Sequence, residues 1–356
     1  MKNKFRNFLL ILIYSLFSFK SVCATEPFIF NVTEIEILEN GNQINGYNGG
    51  TATSEDGSEI SAKNFFYNKI TNILEAVGNV RYLNKINNIT ITSEKAIYLK
   101  NDEMIYTLGN SKAVNENNTI TAASLEYDKI NNIFKAKKDA VVSDFEKDTT
   151  IYSDEITYLK NEEKVFTLGK TKALIEKNYV FNSEDVTYLR NAKKLYSQKN
   201  STLEDDNGNI YKLENFFFDI DKELLKGENV NILAKVEQNK IDKYFFSEGF
   251  FNFKDKSHIA KETKINTHKD VFGDENHDPR LYGSSSYSDH SKTVVNNGIF
   301  TSCKIRDNCP PWSIKAEKIT HDKIKKDMIY KNAILKVYDI PVLYFPKFFH
   351  PDPSVK

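Results

Sequence analysis

The chain has 356 residues, 40% of them hydrophobic and 13% aromatic, enough to bury the core of one large or two ordinary domains. Lys+Arg and Asp+Glu both total 49, so the formal net charge is zero. That balance gives neither the basic stripe of a nucleic-acid binder nor an acidic disordered tail.

Residues 1–24 read as a signal peptide. Lys2, Lys4 and Arg6 form the charged start, Phe8 to Phe19 the apolar run, and Val22-Cys23-Ala24 the cleavage site before Thr25. The run is shorter than the ~20 apolar residues that a spanning helix needs. Lys20-Ser21-Val22 fits a lipobox poorly, which argues against acylation at Cys23.

Next comes a repeat of about thirty residues, the signature of a stacked architecture. Its anchors are Tyr67, Tyr98, Tyr127, Tyr158, Tyr188 and Phe218. Seven residues before the anchors stand Ile60, Ile91, Ile120, Ile151, Phe181 and Tyr211. Two before them stand Phe65, Ala96, Leu125, Ile156, Val186 and Phe216. Seven after them come Leu74, Ile105, Phe134, Val165, Leu195 and Leu225, and nine after them a small residue, from Ala76 to Gly227. Columns two apart share one face of a strand. The polar segment after each anchor predicts a turn between two short strands, and the Gly78-Asn79, Gly109-Asn110 and Gly169-Lys170 steps predict further turns. The change of parity between the first two columns predicts a bulge or corner where a strand bends from one sheet to another. The fold class is therefore all-β. Because each unit buries one face, units must stack, and the open ends of the stack are sites for caps or for docking another sheet.

Residues 28–60 read as a degenerate first unit, with turns at Asn40-Gly41 and Gly49-Gly50, and residues 241–268 as a degenerate last one around Phe253. Beyond them, Ser284-Ser285-Ser286 and Asp289-His290 stand in a stretch whose Gly/Ser/Asp composition predicts a loop rather than a nucleophile and its base. Asp274, Glu275, His277 and Asp278 read as a solvated turn, and Glu94, Asp154 and Glu184 stand on a solvent-facing column. There is no phosphate-binding Gly loop and no HExxH, so neither an enzyme, a metal nor a cofactor is expected. Cys303 and Cys309, in an oxidising compartment, suggest a local disulfide. The zinc alternative would have to recruit His290 and His321.

The repeats resemble the OstA-type units of lipopolysaccharide-transport proteins over roughly residues 54–235. The tail is more specific: Thr301-Ser302-Cys303, Cys309, Pro311-Trp312-Ser313-Ile314-Lys315-Ala316, Ile340-Pro341-Val342-Leu343-Tyr344-Phe345-Pro346 and Phe349-His350-Pro351-Asp352-Pro353. It resembles the N-terminal region of the LPS-assembly protein LptD family, just before that family's outer-membrane barrel.

The resemblance implies an OstA/LptA-like β-jellyroll over residues 25–270, two antiparallel sheets splayed around an apolar groove for lipid A acyl chains. The groove would be lined by the columns Ile60, Phe65, Leu74, Ile91, Ile105, Ile120, Leu125, Phe134, Ile151, Ile156, Val165, Phe181, Val186, Leu195, Phe216 and Leu225, with the small column leaving width for a chain. Residues 271–356 would supply the last strands, the cysteine loop and a hinge at Trp312, Pro341, Pro346 and Pro351 toward a barrel that lies outside this sequence. The implied location is the periplasmic face of the outer membrane. Implied partners are lipopolysaccharide, an LptA-type bridge joined edge to edge and, where a barrel follows, an LptE-type lipoprotein. Two other readings remain at this point: an LptA-like bridge without a barrel, and an extracellular β-helix adhesin or polysaccharide-binding protein.

Overall fold

The computed structural model describes residues 27–116, 118–234, 240–269, 277–305 and 310–352. The expected signal peptide, Asp274 and Glu275 of the expected turn, and Cys309 lie outside the described residues. Among these residues twenty-four strands form one continuous ladder in which every paired neighbour is antiparallel. No α-helix occurs among the described residues, and none of their helices could cross a membrane, a statement that does not bear on β-barrels. A β-helix stacks parallel rungs, so the antiparallel ladder removes the extracellular β-helix alternative.

The middle repeats contribute two long strands each in place of the short ones expected, whereas Glu59–Ala62 with Asn64–Asn68, and the four strands from Tyr179–Glu184 to Ser201–Glu204, are short as expected. Ile73–Asn84 and Ile89–Leu99 show the long form. Alternating apolar residues define the inner face of both, and Asn-rich turns at residues 69–72 and 85–88 reverse the chain. The Gly78-Asn79 step, expected as a turn, is a bulge inside a continuing strand. Val77 pairs with Lys95 and Val80 with Ser93, so the step holds one extra residue on its strand. The positive φ values of Gly78 (84°) and Asn79 (51°) bend the strand without ending it. Gly109-Asn110 does the same between Leu108 and Ser111, and in the first unit the bulge falls on Asn48-Gly49 opposite Thr33, with Gly50 back in register against Val32. Sequence alone cannot separate the two outcomes, since turns and bulges draw on the same left-handed residues.

Because the bulges align from strand to strand, the ladder is creased along its length. One half carries the tyrosine anchors and the other carries the column seven residues earlier. The crease turns their inner faces toward each other, giving a two-layered, jellyroll-like fold. Rings meet across the layers: Phe28 and Tyr98 at 5.5 Å, Tyr82 and Tyr127 at 6.3 Å, Phe181 and Phe216 at 5.1 Å. Fully burying an apolar side chain of this size contributes about 1.5–3 kcal/mol, so the repeated columns are the main source of stability.

Among the described residues most buried apolar side chains fall into two clusters. One runs from Phe28 to Ala260, and a smaller one gathers Phe300, Ile314, Ile319, Met328 and Tyr330. The Ser284–Ser286 stretch, expected as a loop, lies within the strand Arg280–Ser288, paired with Ser257–Asn266 and Lys292–Thr301. Likewise the proline-rich tail is not an unpaired connector. It forms the outermost strand, Ile340–Pro351, laddered along Asp327–Val337. Proline lacks the N–H that a second neighbour would need, which suits it to an edge.

Candidate functional site

The site that the sequence points to is the space between the two layers. All sixteen expected lining residues face that space, and none exposes more than 4% of its surface. Examples are Ile60 and Ile91 in one layer and Leu74, Ile105 and Phe134 in the other. The ring of Phe134 stacks on Tyr127 at 4.4 Å, with Tyr158 6.3 Å away on its other side. At Gly227 the small column leaves no empty width. A Cβ added at Gly227 would lie 2.5 Å from Leu213 Cδ1, so neighbouring side chains already occupy that width.

Opposite the crease, the free ends of the layers meet along a polar seam that the sequence reasoning missed. Two residues after the anchors stand Lys69, Lys100, Lys129, Lys160 and Arg190. This basic column was readable in the repeat, but it was absorbed into the polar turn. Lys129 Nζ lies 2.9 Å from Asp56 Oδ2 on the opposite layer and 2.6 Å from Glu103 Oε2 on its own. It also donates to the Tyr98 hydroxyl at 2.6 Å. Lys160 Nζ crosses to the Asn87 carbonyl at 2.9 Å. Arg190 reaches Asp144 at 2.7 Å and Glu146 at 3.1 Å across the seam, and Glu163 at 2.9 Å on its own side. Tyr179 donates to Glu223 at 2.6 Å.

Burial alone would raise the Asp56 carboxyl. Hydrogen bonds from Ser54, Lys129 and Ser58 outweigh it and hold the group far below the usual carboxylate range. Burial would likewise lower Lys129, yet Glu103 and Asp56 push it upward. Charge on both sides of the seam is thus fixed at neutral pH. The arrangement can do one thing chemically: it covers an apolar interior with ion pairs that water or another charged group can replace.

The remaining candidates lie elsewhere. The Cys303 sulfur is 3.7 Å from the Trp312 carbonyl oxygen, and the cysteine expected to pair with it is outside the described residues. Trp312 packs edge-on to Phe300 at 6.1 Å, against the smaller cluster. Pro341 pairs in register with Lys336 and Pro351 with Asp327. Asp289 accepts from the Ser291 and Lys292 amides, as a turn residue does. Asp278 accepts from the Ile305 amide at 2.8 Å. Ser286 meets His258 at 3.4 Å, not His290. His321 pairs with Asp352. Among the described residues no group of three or more His, Cys, Asp or Glu is placed to hold a metal. Glu94, Asp154 and Glu184 are exposed.

Among the described residues both outermost strands have one neighbour and leave the other edge free. Phe28–Leu38 pairs there with Gln43–Ser54 alone, and it exposes Ile29, Ile35 and Ile37. Ile340–Pro351 exposes Ile340, Leu343 and Phe349.

Comparison with known proteins gives a family model that matches part of the chain and a weak structural likeness. A search of curated proteins finds no match. Among solved structures, LptH of Pseudomonas aeruginosa, described as the LptA-homologous periplasmic component of the lipopolysaccharide transport device, aligns at 14% identity. The alignment covers 32% of this chain and 83% of that one, with a TM-score of 0.30. The family model described as OstA-like protein matches residues 29–184, the part of the chain that holds the first repeats and most of the seam.

Proposed function

We propose that the chain carries lipopolysaccharide in the periplasm, taking acyl chains of lipid A between its two layers while the sugars stay in water. The observation that carries this reading is the unbroken apolar interior from Phe28 to Ala260, walled by two β layers and covered on one side by exchangeable ion pairs. The OstA-like match over residues 29–184 supports it. A multi-chain lipid exposes on the order of several hundred Å² of apolar surface, and burial is worth about 25 cal/mol per Å². Carrying it through water therefore requires a continuous apolar substitute for solvent. In the closed interior the side chains themselves fill the space, so loading needs the layers to part at the seam.

Within that reading, the Cys303–Pro353 tail favours the receiving end of the pathway, as in the N-terminal region of LptD-type proteins, over a bridge of the LptA type. The free edge at Phe28–Leu38 would then accept a strand from an LptA-type bridge, extending the ladder by main-chain hydrogen bonds. Photo-crosslinkers placed at Ile105 and Phe134 test the function. Adducts with lipopolysaccharide are expected at both positions, and their absence in transport-competent cells would sink the proposal.

A further inference from the structure

The apolar interior stops before the end of the ladder. Where the two clusters adjoin lie the strands Ser257–Asn266, Arg280–Ser288 and Lys292–Thr301, whose buried positions set Thr263, Ser286, Ser288 and Thr301 among Ala260, Ile265, Val295 and Phe300. Thr263 donates to the Ser286 hydroxyl at 2.7 Å, and that hydroxyl lies 3.4 Å from His258 Nε2. The Ser288 and Thr293 hydroxyls are 2.7 Å apart, and Lys323 Nζ donates to Ser288 at 2.9 Å. Thr263, Ser286 and Ser288 are buried. Val295 and Ile265, buried among them, belong to neither apolar cluster. The belt is also tight: a Cβ added at Gly283 would lie 2.2 Å from Val295 Cγ1.

We propose that this belt of hydroxyls is the end wall of the lipid compartment, so that acyl chains occupy the interior between Phe28 and Ala260 and do not enter the core around Phe300. The inference rests on the lipid-carrying reading and adds where the chains stop. An ordinary core could tolerate such a belt, because its hydroxyls satisfy one another. An acyl chain could not pass it on equal terms. It would have to separate paired, desolvated hydroxyls and offers no acceptor in exchange, and each hydroxyl left bare costs about tenfold in occupancy. The smaller cluster then serves to attach the last strands and is not part of the lipid track. A lipid leaving the first compartment has to do so short of the belt.

The test uses the full chain with a benzophenone side chain at Phe134, in the first cluster, or at Phe300, in the second, and purified lipopolysaccharide as the probe. Tyr330 serves as the second-cluster position if the Phe300 substitution fails to melt cooperatively. Strong adduct at Phe134 and at least about tenfold less at the second-cluster position is expected. Similar yields in both clusters, or adduct in the second alone, overturn the end wall and leave lipid carriage standing. Adduct at neither overturns lipid carriage and the wall with it. Making the belt apolar with Thr263→Val and Ser286→Ala should raise the second-cluster adduct about tenfold. An unchanged yield in a variant that still melts cooperatively overturns the belt as the cause.

Discussion

Lys129 and Asp56 are 73 residues apart in the chain, yet the ammonium of one lies 2.9 Å from the carboxylate of the other, across the gap between two β layers. The lysine side chain is only 7% exposed, so the pair is shielded on the lysine side. A second carboxylate, Glu103, holds the same ammonium from its own layer. Were the layers to part, the lysine would keep Glu103 and Asp56 would turn to water.

Arg190 is the stronger version of this contact. It faces Asp144, whose side chain is 2% exposed, together with Glu146 and Glu163. Replacing it by methionine leaves a buried carboxylate without its cation, and stability should fall by about 3 kcal/mol. Adding Asp144→Asn should recover a large part of that loss. Chemical denaturation of the single and double variants checks this, and a double variant no more stable than the single one would contradict the assignment.

His258 makes the stability depend on pH. Burial first, and then the charge of Lys323, push its imidazole down to about 4. The unfolded histidine titrates near 6.5. Between those values the unfolded chain binds the extra proton, so stability is fully present above about pH 6.5 and is lost as pH falls toward 4. The loss amounts to up to about 3 kcal/mol. His258→Phe keeps a ring against Phe246 and Phe251 and should flatten the pH profile in that window. Parallel profiles for the two proteins would show that the histidine is not responsible.

Gly50 sits where the first two strands approach most closely. A Cβ there would fall 2.3 Å from the Asn31 carbonyl oxygen and 2.7 Å from Val32 Cα, both backbone atoms that cannot move aside cheaply. Gly50→Ala should destabilise by roughly 2 kcal/mol or more. Gly41→Ala meets nothing within 4 Å and bears only the strain of its positive φ, about 1 kcal/mol. Thermal melts of the pair should rank in that order.

Much of the fold was legible because the repeat obeys two periods at once. Side chains two apart mark a strand face, and anchors about thirty apart mark the stack, so the columns from Ile60 to Leu225 could be assigned inward before any coordinates. The parity change also located the crease. What misled was chemistry shared by different structures. Gly78-Asn79 supplies the positive φ of a turn or of a bulge, and only the pairing of Val77 with Lys95 and of Val80 with Ser93 separates them. Ser284–Ser286 has the composition of a loop, yet its neighbours hold it in a ladder. The basic column of the seam was readable in the repeat, but its partners across the layers were not. Its contacts join residues 73 and 46 positions apart, a relation set by how the layers close and by no local pattern.

The central claim is that lipid enters by parting the layers at the seam and occupies the space behind it. It is tested most directly by locking the seam. Asp56→Cys and Lys129→Cys, in a chain whose Cys23, Cys303 and Cys309 are replaced by serine, can be joined by a short bis-maleimide, with a photo-crosslinker at Phe134 reporting lipopolysaccharide. Adduct is expected in the unbridged protein and should be lost once the bridge is made. Equal adduct before and after bridging would contradict it.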